Sequence, residues 1–186
     1  MVLRSTQLRR ISEKKRDILF LILLLAAYVL GVTIGFICGV GDLSYTTSIQ
    51  QSASNHTQLY SMEPFNRFLY IARNNLMVSL KCCVYGTFSM GLFSLFLLVF
   101  NGFVLGDMIG RNSHFLSTEE ICKSTLPHSL EFVGIALFGL TGKIMSTDIF
   151  TRHPLRRLVT CVKIASIATF IIIFTAAIEG YVSMSS

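Results

Sequence analysis

The sequence predicts an all-α fold: a polytopic membrane helix bundle of about five transmembrane helices plus a short interfacial helix, with the N-terminus cytoplasmic. Three observations predict it. The 186 residues are 52% hydrophobic and only 14% charged, against about 25% charged in an average soluble domain. The apolar residues run on without interruption, unlike the alternating segments of about 9–11 residues that a membrane β-barrel needs. Most Lys and Arg residues sit in two blocks flanking apolar runs, where they set membrane orientation.

These observations divide the chain into a basic cytoplasmic segment, residues 1–17, and a single transmembrane helical domain, residues 18–186. The mean hydropathy of +0.63 agrees with that division. The net charge of +6 is accounted for by the flanking blocks. No nucleic-acid-binding motif accompanies it, so nucleic acid is not expected as a partner and the lipid bilayer is. The five cysteines contain no C-x-x-C pair. Cys82, Cys83 and Cys161 fall in apolar runs and read as small hydrophobes. Nothing in the spacing of Cys38 and Cys122 requires a bridge between them.

The first segment carries Arg4, Arg9, Arg10, Lys14, Lys15 and Arg16 against Glu13 and Asp17. The apolar run from Ile18 to Val40 follows and spans about 34 Å as a helix, enough to cross a hydrocarbon core of about 30 Å. It is longer than a signal-peptide core and lacks a convincing cleavage site, so a retained helix is expected. Gly31, Gly35 and Gly39 repeat small-xxx-small twice, a surface that another backbone can approach closely. Residues 41–61 are polar and read as an extracytoplasmic loop, with a sequon at Asn55-His56-Thr57.

A helix is expected from Ser61, with Pro64 in its first turn. Phe65, Phe68, Leu69, Ala72 and Leu76 follow helical spacing, giving an amphipathic lead-in. Leu76 to Ile109 would span about 51 Å as one straight helix, too long for one crossing. The run is therefore split at Ser89-Met90-Gly91 into two crossings joined by a tight turn. The second of these carries Gly102, Gly106 and Gly110, another doubled small-xxx-small pattern, with Asn101 and Asp107 among them. Ser117-Thr118-Glu119-Glu120 is a capping-box pattern that starts a short surface helix. The fourth crossing then runs from Pro127 to Met145. A loop holding Arg152, His153, Pro154, Arg156 and Arg157 follows, and a fifth crossing from Leu158 to Val182.

Charge supports the split. Residues 1–17 and 143–157 together hold ten of the sixteen Lys and Arg residues, and five crossings place both segments in the cytoplasm. With a single crossing over Leu76 to Ile109, the second arginine block would lie outside, against the positive-inside rule. The C-terminus is then extracytoplasmic.

In this topology Asn75, Asn101, Asp107, His128, Glu131 and Glu179 all fall in the outer half of the membrane. An ionisable residue at mid-membrane costs about 2.5–3.5 kcal/mol on insertion scales, so such residues are expected to meet one another or serve a function. The expectation is one intramembrane polar cluster, structural or ligand-binding, between closely packed helices. His128 and Glu131 form H-x-x-E rather than H-E-x-x-H, and a zinc site has little support from spacing alone. No nucleophile elbow, Walker motif or dinucleotide fingerprint is present. Neither a catalytic residue, a resident cofactor nor a metal is expected, and the chain is not expected to be an enzyme.

Several of these residues also carry a resemblance. Asn74-Asn75, Gly86 and Gly91, Asn101-Gly102 with Gly106, Leu126-Pro127-His128 with Glu131, and Ala176-Ala177 with Glu179 stand in an order and spacing similar to those of the stage II sporulation protein M family. The resemblance covers about Pro64 to Tyr181 plus the leading helix. One departure is Ser129, where the family usually has glycine. The resemblance implies a multi-pass protein of the bacterial or archaeal cytoplasmic membrane. In endospore formers, members look like membrane anchors for cell-wall hydrolases, whose activity belongs to the partners. Similar proteins in other hosts occur beside transport components such as ABC ATPases. Two readings follow. The first is a non-enzymatic scaffold or assembly subunit, with partners or self-association engaging the glycine faces. The second is a transport or export subunit whose polar cluster binds the cargo.

Overall fold

The computed structural model describes residues 2–41, 62–151 and 157–182. These form five α-helices and no strand: α1 (Val2–Gly41), α2 (Pro64–Phe88), α3 (Leu92–Asn112), α4 (Thr118–Phe150) and α5 (Leu158–Val182). The expected outer loop with its sequon, and Arg152, His153, Pro154 and Arg156 of the second arginine block, lie outside the described residues. Four stretches are long and apolar enough to cross a membrane: Ser12–Gly41, Leu92–Asn112, His128–Phe150 and Leu158–Tyr181. The fold is thus an all-α membrane helix bundle, and the chain is a multi-pass membrane protein.

The glycines of α1 and α3 decide how the bundle is threaded. A Cβ on Gly31 would overlap the Val99 carbonyl oxygen, one on Gly35 that of Phe103, and one on Gly39 that of Asp107. From the other side, Gly102, Gly106 and Gly110 meet the carbonyls of Tyr28, Val32 and Phe36 in the same way. Residue numbers rise together along both helices, so α1 and α3 run parallel, backbone against backbone. Two faces of small residues make that approach possible. Both faces are occupied within one chain, so self-association through them would have to pull α1 off α3. The glycine faces of α1 and α3 thus cover each other within the chain.

Parallel α1 and α3 require a return path between them, and α2 is the described element that supplies it. It has 25 residues, about 37 Å of helix. Arg67, Arg73, Asn74, Asn75 and Lys81 keep it below the apolarity of the other four. The reversal into α3 lies at Ser89-Met90-Gly91, as the lengths predict. Met90 has φ 53° and Gly91 φ 92°; the second value is a left-handed conformation that suits glycine. The Gly91 amide donates to the Gly86 carbonyl at 2.7 Å and so closes the turn.

The lead-in before Leu76 belongs, as expected, to the helix that follows, and no separate interfacial helix stands there: α2 is continuous from Pro64, which occupies its first turn. One expected boundary differs. The short surface helix before the fourth crossing is likewise continuous with it, since α4 runs unbroken from Thr118 to Phe150. The Ser117–Glu120 capping box is present with both of its bonds. Having satisfied the first amides, it starts a helix that continues through Pro127 instead of stopping there.

Helix α4 is the central element. Ile135, Ala136, Phe138, Leu140 and Ile144 are buried along it. Gly139 receives the Ser94 and Cys82 side chains, and Gly142 sits against the Cys83 backbone. Helix α5 packs antiparallel on α4, with Ala168 and Ile172 against Gly134. Helix α1 is peripheral. It buries Leu24, Tyr28, Gly31, Gly35 and Gly39 on one narrow stripe and leaves Ile22, Val29 and Ile37 facing outward.

Candidate functional site

The end of the bundle where α1 terminates is called upper below, and the end where it begins lower. Near the upper end, three ionisable side chains meet. His128 and Glu131 share a face of α4 because they are three residues apart. Glu179 arrives from α5, and two glycines bring it there. Gly134, one turn beyond Glu131, leaves room for Ile172 and Ala168 of α5. Gly180, next to Glu179, lies against α2: a Cβ there would come within 3.0 Å of the Phe68 Cα.

His128 links the two carboxylates. Its Nδ1 lies 3.4 Å from Glu131 Oε2, and its Nε2 lies 3.2 Å from Glu179 Oε1. The Glu131 side chain is 3% exposed, that of Glu179 14% and that of His128 37%. The cluster is thus buried at Glu131 and open at His128. One oxygen of each carboxylate, Glu131 Oε1 and Glu179 Oε2, is buried without a hydrogen-bond partner. An unanswered buried acceptor is costly, by about 1–3 kcal/mol and more when charged.

A buried charge outside the expected set lies on α2. Arg67 is 1% exposed and heads the fully buried side chains by volume. It donates to the Met62 carbonyl at 3.3 Å.

The other expected members do not join. Asn101 donates through Nδ2 to the Leu97 carbonyl of its own helix at 2.7 Å. Asp107 pairs with Arg111 one turn on, at 2.9 Å. Asn75 stays on α2 about two turns below Arg67, and its carbonyl accepts the Ser79 hydroxyl at 2.7 Å. The structure therefore brings together His128, Glu131 and Glu179 from the expected set and leaves Asn101 and Asp107 on local side-chain bonds.

A second ionic network lies at the lower end, some 25 Å along α4 from Glu131. Asp17 of α1 accepts from Lys143 Nζ at 2.7 Å and from Arg157 Nη1 at 2.8 Å. Arg157 also donates through Nε to Asp148 at 3.1 Å, and its backbone amide donates to the other Asp148 oxygen at 2.9 Å. Three helices are joined in this way. A cleft of about 250 Å³ opens beside the network, lined by Arg16, Asp17, Phe20, Leu23, Lys143 and Arg157 among others. In the sequence these charges mark only orientation.

The family model described as Stage II sporulation protein M matches residues 18–184. No curated protein and no solved structure matches the chain.

Proposed function

The chain belongs to the stage II sporulation protein M family, and from that premise we propose that it is a non-enzymatic scaffold or assembly subunit of a multiprotein complex in a bacterial or archaeal cytoplasmic membrane. The observation that carries this reading is where the polarity goes. The ionisable groups at both ends join one helix of the chain to another, while the outward faces of α1, α3 and α5 are apolar, with Ile37, Phe96, Phe100 and Phe170 exposed. Such a surface suits lipid and other membrane helices. The basic N-terminal segment, cytoplasmic in this reading, offers a polar contact on the inner side. Cell-wall hydrolases are the partners that the family resemblance suggests.

The experiment is a crosslinked pull-down of the full chain in mild detergent at native expression. The reading expects a reproducible set of membrane partners, with hydrolases among them. Recovery of the chain alone, crosslinked to nothing, would overturn it. A second reading, a transport or export subunit working with an ABC ATPase, is favoured by the two unpartnered carboxylate oxygens at the upper cluster. Recovery of an ATPase in place of hydrolases would select it.

A further inference from the structure

We propose that His128, Glu131 and Glu179 bind one divalent transition-metal ion of the zinc class, which ties α4 to α5 near the upper end of the bundle. The inference goes beyond the scaffold reading and does not depend on it.

Three donors converge. One ligand atom from each residue lies within 4.8 Å of the others, and rotation of the Glu side chains can bring them to about 3.3 Å apart, the spacing of two ligands that each lie about 2.0–2.2 Å from a tetrahedral zinc. The donor set selects the ion. An imidazole disfavours calcium and magnesium, which take oxygen ligands, and the absence of a thiolate from the trio disfavours soft ions such as Cu(I).

The independent observation is Glu131. It is 3% exposed, and its Oε1 has no partner; Glu179 Oε2 is in the same state. A proton on His128 would not answer these oxygens. It would also sit in long contacts, since charge-assisted N–H···O bonds run about 2.7–2.9 Å and the two here are 3.2 and 3.4 Å. A metal answers them, because a carboxylate can ligate through either oxygen. The site sets two carboxylates against one imidazole, so it retains an appetite for cations. The partly exposed His128 provides the entry path, and water completes the coordination.

The test uses the full chain, purified in detergent without a histidine tag, stripped with chelator and dialysed against Zn2+. Metal per chain is measured by mass spectrometry, and the coordination shell by X-ray absorption at the zinc edge. The expected result is one ion per chain in a shell of nitrogen and oxygen. Binding should weaken at least tenfold in Glu179→Gln and in His128→Gln and be unchanged in His114→Gln. Glu131→Gln is scored only as a folded, monodisperse species, and the two more exposed positions keep the test decisive without it. A wild-type chain that retains no zinc, a shell containing sulfur, or undiminished binding in Glu179→Gln overturns the proposal.

Discussion

Gly35 and Gly106 have no slack. A methyl group on either would strike a backbone carbonyl, of Phe103 or of Val32. Backbone cannot swing aside as a flexible side chain can, so α1 and α3 would have to separate along their whole contact. Overpacking of this kind costs about 1–3 kcal/mol. Gly35→Ala and Gly106→Ala should each lower the unfolding midpoint in micelles accordingly. Gly41→Ala should leave it unchanged, because nothing lies within 4 Å of that position; equal midpoints for all three variants would sink the account. At this scale the sequence was informative about spacing and silent about partners. The i, i+3 relation of His128 and Glu131 could be read directly, and so could the small-xxx-small periods. Which polar groups meet could not be. Asn101 bonds a carbonyl four residues back and Asp107 an arginine four residues on, local solutions open to any helix. The burial of Arg67 comes from tertiary packing, which helical spacing does not show.

Among the elements, the α2–α3 reversal carries the tightest demand. Met90 and Gly91 both have positive φ, and a Cβ on Gly91 would meet the Phe20 ring of α1. Gly91→Val combines two penalties, a β-branched residue in the left-handed region, about 1–2 kcal/mol, and a displaced aromatic ring. It should destabilise more than Met90→Asn, since asparagine tolerates that conformation. Thermal unfolding of the two variants decides the point, and a Met90→Asn chain weaker than Gly91→Val would contradict it. This turn was legible because 34 residues of apolar helix do not fit a membrane. The continuity of α4 was not, since a proline in a sequence reads as a boundary. At Pro64 it is a helix start; at Pro127 the helix passes through. The lower ionic network was hidden for another reason: Asp17, Lys143, Asp148 and Arg157 are far apart in sequence, and only packing shows that they meet.

For the whole molecule, the strongest constraint comes from the parallel pairing of α1 and α3, because it is independent of charge and of hydropathy. If α1 leaves the cytoplasm, α3 must leave it too, and α2 must return between them even though its composition falls short of an ordinary crossing. Helix α4 then descends, since its Lys143 and Asp148 end meets Asp17 and Arg157 at the lower end, and α5 rises again to bring Glu179 to His128. The arginine distribution reaches the same arrangement by a separate route, which is why the two together argue for five crossings. Cysteine chemistry provides the test. Cys38, near the upper end of α1, and Cys122, in the first turns of α4, are both exposed, whereas Cys82 and Cys161 are buried. In intact cells a membrane-impermeant maleimide should therefore label Cys38 and Cys122 in single-cysteine chains and spare Cys82 and Cys161. If α2 failed to cross, the ends of α1 and α4 would lie on opposite sides. Cys122 would then be labelled only after the membrane was opened, with Cys38 labelled before it, and that split would refute the threading.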